Sequence, residues 1–390
     1  MRRSDKLPGG LCFRAPIGAL FLFAILTLVL AGCAGNRSSP SQAWSGLAVD
    51  GSTGYIGTQN GEVIAVDLEA QGRETASFAV GSAGRTDAFP GFYGVPTIAN
   101  GKVYVGGFNG IVYALDATGL IEVRSFEIEG DKLSKGILGS IVTAGTRFVF
   151  GGSESADTGR LYVLDEDLRE VCVYPARGND PVGAIWSTPT VVDGIAYFGD
   201  LSHNLYAIAV DDCEPVWAAP VGLGGGISAP VLVLDNKLYV GSFNQTFYAI
   251  DLETAGASAV LEADNWFWAK AATDETRVFA PSLDGRLYAY DLTTRRVAWV
   301  YPADGDIGPI ISAPVVVGDT VVVGSDDENI VVLDAATGTR LWDQRVGSKI
   351  RAPLTAAGSV VYVYTIDRVL RAYDVVDRRL LWEQDLGKGR

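Results

Sequence analysis

The amino-acid sequence predicts an all-β protein, an eight-bladed β-propeller with four-stranded antiparallel blades. One strand pattern recurs along the chain, its copies lie 40 to 49 residues apart, and 47 glycines are available for turns. This spacing holds four short strands with their turns, but it is too short for units in which a helix crosses between parallel strands. Eight copies therefore predict eight blades.

The recurrent strand becomes the third strand of each blade, strand C, and seven of its eight copies end in aspartate. The eighth copy, Leu205–Ala209, lacks the aspartate. In the segment from Asp334 to Gly338 the carboxylate is placed to accept backbone N–H groups, and the glycine supplies a positive φ. Because the pattern repeats, we interpret the aspartates as turn residues rather than as catalytic or calcium-binding groups. They are Asp67, Asp116, Asp165, Asp251, Asp291, Asp334 and Asp374.

The other three strands are placed relative to strand C. Strand B comes before it and ends mostly in glycine, and strand A comes earlier still, with small residues and a proline, as in Ser228-Ala-Pro230. Proline donates no ladder hydrogen bond and small side chains fit where eight strands converge, so strand A should line the central channel. Strand D should pack its aromatic residues between blades. These aromatic residues are Phe78, Phe126, Trp217, Trp299, Trp342 and Trp382.

The first 32 residues have the composition of an export signal, with basic residues followed by an apolar run from Ala15 to Leu30. That run would reach only about 24 Å as a helix, which makes a permanent membrane span marginal and favours cleavage. Leu30-Ala31-Gly32-Cys33 resembles a bacterial lipobox, which implies an acylated Cys33. We expect residues 1–32 to be the signal peptide, 33–43 the lipid anchor with its tether, and 44–390 the propeller, held on an extracytoplasmic membrane surface. The alternative is an ordinary signal-peptidase site beside an incidental cysteine.

The net charge limits the classes of binding partner, and the cysteine content limits the possible disulfides. The chain carries a formal net charge of −15, and loss of residues 1–32 would leave −18, which disfavours nucleic acid. After acylation of Cys33, the exported part retains Cys172 and Cys213, which lie about one repeat apart in a compartment that permits disulfides. Sequence leaves their pairing open, because a disulfide requires a Cα separation that spacing alone does not fix.

The sequence predicts no catalytic residue and no metal site. His203, the one histidine, lies in the B–C turn of blade four, where we interpret it as a solvated loop residue. One histidine and two distant cysteines do not supply the ligand spacing of a zinc site.

The pattern Asp334-x-x-Thr-Gly338-x-x-x-Trp342 resembles the propeller repeat named after pyrroloquinoline quinone, and the resemblance covers residues 44 to 386. Within that superfamily, an acylated eight-bladed chain with no appended domain is similar to the BamB family of lipoproteins in outer-membrane protein assembly. The resemblance implies a non-catalytic, monomeric propeller that presents loops to an envelope protein, on the outer membrane if the source has one. Its alternative implication is a quinone-binding propeller related to dehydrogenases, for which an adjacent cysteine pair is absent.

A protein partner should dock on the face that the B–C turns share with the loops leading from strand D to the next strand A. Aromatic residues on that face are the expected anchors, with Phe89 and Phe92 the most exposed. For Trp186 and Phe267, packing around the channel mouth is an equal alternative. The interface candidates are Phe89, Phe92, Tyr93, Trp186, Trp266 and Phe267, with Ile227 and Ile311 at comparable positions.

Blades six and eight depart from the small residues of strand A. Trp268, Lys270 and Arg351 would offer stacking and positive charge to a planar anionic quinone such as pyrroloquinoline quinone. The alternative is that these bulky residues fill a wide channel, with both cations neutralised by acids such as Asp264 or Asp306. We expect no bound cofactor.

Overall fold

A computed structural model describes residues 44–81, 91–131 and 134–387. These residues form 33 strands, arranged as eight antiparallel sheets that make up an eight-bladed β-propeller, as the sequence predicted. No helix among the described residues is long and apolar enough to cross a membrane. The predicted signal peptide, Cys33 and its tether, together with Phe89, lie outside the described residues.

The first four blades are each built from consecutive strands. Blade one contains β1 (Leu47–Asp50), β2 (Thr53–Gly57), β3 (Glu62–Asp67) and β4 (Arg73–Ala79). Blade two contains β5 (Thr97–Ala99), β6 (Lys102–Gly106), β7 (Ile111–Asp116) and β8 (Glu122–Glu127). Blade three contains β9 (Val142–Ala144), β10 (Arg147–Ser153), β11 (Thr158–Leu164) and β12 (Glu170–Tyr174), and β13 (Val182–Gly183) also pairs with β11. Blade four contains β14 (Thr190–Val192), β15 (Ile195–Gly199), β16 (Asn204–Ala209) and β17 (Val221–Gly222).

The last four blades follow the same order. Blade five contains β18 (Leu232–Leu234), β19 (Lys237–Gly241), β20 (Thr246–Asp251) and β21 (Ala257–Glu262). Blade six contains β22 (Ala272–Thr273), β23 (Arg277–Pro281), β24 (Leu287–Asp291) and β25 (Arg296–Tyr301). Blade seven contains β26 (Val315–Val317), β27 (Thr320–Gly324), β28 (Asn329–Asp334) and β29 (Arg340–Arg345). Blade eight contains β30 (Thr355–Ala357), β31 (Val360–Tyr364), β32 (Val369–Asp374) and β33 (Arg379–Asp385).

The hydrophobic core lies between blades rather than inside any one of them. Strands B and C are apolar on both faces, as in β28, whose four central residues are all buried. Each core cluster joins two neighbouring blades; one combines Val149 and Leu161 of blade three with Phe198 of blade four. The continuous apolar runs of strands B and C follow from this packing, because both faces of each sheet are covered.

Aromatic residues of strand D pack between neighbouring blades at several positions, as predicted. Trp299 Nε1 donates to the carbonyl of Ala335 in blade seven at 3.1 Å, and Trp217 Nε1 donates to that of Leu252 in blade five at 2.9 Å. Trp217 lies outside any strand, because β17 is only two residues long. The proline-bounded segment from Pro215 to Pro220 replaces the rest of strand D, since proline donates no ladder hydrogen bond.

Within the described residues, blade eight packs against blade one, and each of these two blades is built from its own consecutive strands. Leu47 and Ile56 of blade one share a core cluster with Leu370 of blade eight. Arg368 pairs with Glu62 across this junction at 2.6 Å, with both side chains largely buried. Trp44 precedes β1, and Trp382 lies inside β33.

The repeated aspartates are turn residues, as interpreted from their repetition. Asp334 Oδ1 accepts both the backbone N–H and the hydroxyl of Thr337 at 2.8 Å. Asp251 and Asp291 make the same pair of bonds to a threonine three residues later. These hydrogen bonds hold the pKa of Asp334, Asp251 and Asp291 below the usual value for aspartate.

Candidate protein-docking face

Each blade junction begins with a buried apolar residue that lies five positions before the first strand-A residues of the next blade. In most junctions its backbone N–H donates to a carbonyl in the B–C turn of the preceding blade, as Ile227 does to Asp200 at 2.9 Å. Its side chain fills the space above the last residue of strand B. We call these the junction residues. They are Phe92, Ile137, Ile185, Ile227, Phe267, Ile310 and Ile350, all 0% exposed.

The glycine at the end of strand B is explained by this contact. A Cβ on Gly199 would lie 2.2 Å from Ile227 Cγ2, and one on Gly241 would lie 2.0 Å from Phe267 Cβ. Both separations are shorter than any real carbon contact, so only glycine fits there. The glycine and the apolar residue of the next blade form one packing unit that recurs around the ring.

The exposed position predicted for Phe92 was wrong, and of the two alternatives for Phe267 the structure shows burial. Both are junction residues, and neither is accessible to a partner. Phe92 packs against Gly57, whose added Cβ would lie 2.5 Å from Phe92 Cβ. Ile227 is removed from the interface candidates for the same reason.

The residue after each junction residue faces the channel mouth, and we call these eight positions the rim. Seven of the eight side chains are partly exposed, and Ser228, at 9%, is the most buried. Strand pairing places Trp44 at this position in blade one, because Ala48 pairs with Tyr55 as Thr97 pairs with Tyr104 in blade two. The rim consists of Trp44, Tyr93, Leu138, Trp186, Ser228, Trp268, Ile311 and Arg351.

Four aromatic side chains form a continuous stack across the rim on blades four to six, and we call this the aromatic stack. Phe243 is sandwiched between Trp266 and Trp268, with ring centroids 4.5 and 5.4 Å away and planes within 14° of parallel. Trp268 also contacts Trp186 at 6.0 Å. Trp186 and Trp268 belong to blades four and six, and they meet because blade five carries the small Ser228 between them.

All four residues of the aromatic stack are partly exposed. Gly222 to Gly226 and Asn244 beside the stack are uncharged, whereas Asp264 lies two residues before Trp266 and exposes 86% of its side chain. Sequence analysis missed Phe243, although its place in a B–C turn, where blades six and eight carry Leu283 and Ile366, was a usable signal. Partly exposed aromatic side chains are typical anchors of protein interfaces.

A second aromatic group occupies the opposite part of the rim. Tyr93 lies 5.5 Å from both Trp44 and Phe108, and the guanidinium of Arg351 stands 5.6 Å above the Trp44 ring. Arg351 also forms a bidentate pair with Asp326, at 2.9 and 2.7 Å. The expected partners of this arginine were wrong: Asp326, not Asp264 or Asp306, pairs with it and also with Lys349 at 3.2 Å, while Asp264 pairs with Arg286 at 3.8 Å.

The residues of the predicted quinone pocket have different neighbours. Trp268 contacts Phe243 and Trp186, whereas Arg351, two blades further on, pairs with Asp326 and lies over the ring of Trp44. Lys270 is solvent-exposed, yet protein surrounds it on the channel wall, and this partial loss of hydration lowers the pKa of its ammonium group. Among the described residues, no acidic side chain forms an ion pair with Lys270.

The histidine, the acidic residues and the cysteines of the described chain do not form a metal site. His203 lies exposed in the B–C turn of blade four with a φ of 79°. No group of three or more histidine, cysteine, aspartate or glutamate side chains is placed to hold a metal within residues 44–81, 91–131 and 134–387. Cys172 of strand β12 and Cys213 in the C–D turn of blade four are joined by a disulfide, with Cα atoms 5.9 Å apart.

Comparison with known proteins places the chain in a family. A profile described as "Outer membrane protein assembly factor BamB" matches residues 35–259, 203–316 and 284–389, which is nearly the whole propeller. The chain belongs to the BamB family. The BamB protein of Burkholderia pseudomallei is 28% identical over 276 residues, covering 63% of this chain and 64% of the relative. The BamB protein of Bordetella pertussis is 32% identical over 133 residues, covering 34% and 33%. The alignments thus span just under two thirds of the Burkholderia relative and a third of the Bordetella relative.

Solved structures are similar to the BamB-family propeller over most of its length. The crystal structure of BamB from Moraxella catarrhalis has a TM-score of 0.68 at 18% identity, covering 89% of this chain and 95% of that one. A europium-containing methanol dehydrogenase has a TM-score of 0.65 at 15% identity, covering 84% and 81%. At these identities the likeness concerns the fold, which an assembly factor and a dehydrogenase share.

Proposed function

We propose that the chain is a non-catalytic scaffold of the cell envelope that takes part in outer-membrane protein assembly by binding another protein through its rim. Membership of the BamB family supports the assembly role. The aromatic stack is the observation that carries the binding role, because it offers four half-exposed rings that the packing of the blades leaves partly uncovered. The lipid anchor proposed at Cys33 would hold this scaffold at the membrane surface.

The quinone-binding alternative is less well supported than the scaffold. A planar anionic quinone would have to compete with Asp326 for Arg351, which that carboxylate holds at 2.7 Å. A methanol dehydrogenase subunit of Methylobacterium organophilum is 28% identical over 160 residues, which cover 26% of that relative. This likeness supports a common repeat and carries no chemistry to the present chain.

Purification from native membranes tests the scaffold directly. The full chain, with its N-terminal segment intact, is isolated after mild crosslinking, and the proteins attached to it are identified by mass spectrometry. The patch variant Phe243→Ala/Trp266→Ala removes two rings of the aromatic stack and should lose an outer-membrane assembly protein that the native chain retains. A matched control, Ile121→Ala/Val123→Ala, removes two side chains that are 70% and 55% exposed, one just before and one within the outer strand of blade two, and it should retain the partner. Equal recovery with all three chains would refute the aromatic stack as the docking site.

A further inference from the structure

Acidic side chains border the aromatic stack on the side of blade six. Asp264 lies two residues before Trp266, and 86% of its side chain is exposed. Asp304 and Asp306 are exposed in the loop that leads from blade six to blade seven. Against these three carboxylates stands one guanidinium, that of Arg286, at 3.8 Å from Asp264. The border of the stack is therefore negatively charged.

Contacts within the described residues join the acidic border to the stack. The backbone N–H of Leu283, in the B–C turn of blade six, donates to the carbonyl of Trp266 at 2.8 Å. Gly285 of the same turn touches the next loop, since a Cβ on this glycine would lie 2.6 Å from Asp306 Cβ. The turn thus lies between Trp266 and Asp306, and the stack and its acidic border form one continuous surface.

The charged and aromatic groups of this surface are available to a partner. Asp304 and Asp306 form no ion pair with any described residue, and the one ion pair of Asp264 is long and open to solvent. Phe243 covers one face of the Trp266 ring at 4.5 Å, and no described ring or cation stacks on the other face. An indole face beside exposed carboxylates is suited to a cation that is also flat.

We propose that the aromatic stack and its acidic border bind an arginine-bearing surface of the partner protein. A guanidinium can lie on the Trp266 ring and donate paired hydrogen bonds to a carboxylate such as Asp264, which the compact, strongly hydrated ammonium of lysine does less well. A second copy of this face is disfavoured as the occupant, because it would bring the acidic borders of both chains together. The inference rests on the proposed function, since it specifies the chemistry of the partner that the stack binds.

The probe is the peptide acetyl-Leu-Arg-Leu-Arg-Leu-amide, compared with a twin in which citrulline replaces both arginines. Citrulline keeps the shape of the side chain and carries no charge, so the pair isolates the guanidinium. Binding to the purified full-length chain is measured by calorimetry and by the change in tryptophan fluorescence. The arginine peptide should bind at least about fivefold more tightly than its twin, as expected for cation–π contact supported by charge pairing.

The variant Asp264→Asn/Asp306→Asn should bind the two peptides about equally. Asparagine keeps the side-chain oxygen with which Asp306 accepts the backbone N–H of Gly308, so the loop is retained. The matched control, Asp211→Asn/Asp212→Asn, removes two exposed carboxylates from the C–D turn of blade four, on the face opposite the rim, and should discriminate as the native chain does. Raising NaCl from about 50 to about 500 mM should reduce the advantage of the arginine peptide in the native chain.

Three results would each overturn the proposal: no binding of the arginine peptide, equal binding of the two peptides to the native chain, or unchanged discrimination in Asp264→Asn/Asp306→Asn. Failure of the proposed function gives a different result, since Phe243→Ala/Trp266→Ala would then retain its protein partner in the native-membrane experiment. Loss of that partner together with equal binding of the two peptides would refute the arginine surface alone.

Discussion

At the scale of single residues, the fold depends on contacts that occur once per blade and are sterically strict. Gly199 and Ile227 belong to different blades and behave as one unit, because the side chain of the isoleucine occupies the space that a Cβ on the glycine would need. The strand-B glycines were visible in the sequence. Their partners were not, because the pairing runs between blades and the approaching residue, five positions before strand A, looks like part of a loop.

Replacing a strand-B glycine should therefore weaken the packing between two blades. In Gly106→Ala the new Cβ would lie 2.4 Å from Ile137 Cγ2, and we expect a loss of about 1–3 kcal/mol in the free energy of unfolding. Gly222→Ala is the matched control, since a Cβ there would meet no atom within 4 Å. Urea denaturation of both variants measures the difference. Equal stability of the two would show that the interblade contact is not tight.

At the scale of elements, a repeated aspartate fixes the turn after strand C through its hydrogen bonds, and the same bonds lower the pKa of its carboxyl group. Asp251, Asp291 and Asp334 are exposed or half-buried, yet each accepts bonds from the backbone and from a threonine hydroxyl. Repetition alone was enough to predict this role. The interface residues could not be assigned in the same way, because Phe92 and Tyr93 are adjacent aromatic residues of one loop, and only their geometry separates a buried junction residue from a rim residue.

The aspartate turns should contribute stability that depends on pH. The folded-state pKa of Asp251 and Asp291 is lower than that of an unfolded aspartate, about 3.9, so their contribution is present above this pH and is lost as the pH falls through the folded-state pKa. Asp251→Asn/Asp291→Asn should make stability fall less steeply below about pH 4 than it does in the native chain. The control Glu69→Gln/Glu253→Gln removes two exposed carboxylates from the same kind of turn. The free energy of unfolding is measured from pH 7 to pH 2. The same pH dependence in the two double variants would contradict the account.

The disulfide joins two elements of neighbouring blades, strand β12 and the C–D turn that holds Cys213. It closes a loop with a sequence separation of 41 residues, and its removal should cost about 2–4 kcal/mol in the free energy of unfolding. Cys172→Ser/Cys213→Ser should therefore unfold at lower urea concentration than the native chain. Adding a reductant should lower the stability of the native chain to that of the variant without changing the variant. A native chain whose stability matches that of the variant before any reductant is added would argue against the bond.

At the scale of the whole molecule, eight copies of one repeat account for the fold, and the departures from the repeat account for the candidate sites. The number of blades followed from the repeat. The grouping of Trp186, Phe243, Trp266 and Trp268 did not, because it depends on the small Ser228 of blade five, which lets side chains from blades four and six meet. The pairing of Arg351 with Asp326 likewise joins blade eight to a turn of blade seven that no single repeat reveals.

The scaffold claim is tested most directly by site-specific photocrosslinking in living cells. A photoreactive amino acid replaces Trp266 in the aromatic stack of the full-length chain, and in a second chain it replaces Ala357, an exposed residue at the A–B turn of blade eight, away from the rim. The account predicts a defined crosslink from position 266 to a protein of outer-membrane assembly and none from position 357. The same crosslinks from both positions, or none from position 266 in a stable and exported chain, would contradict it.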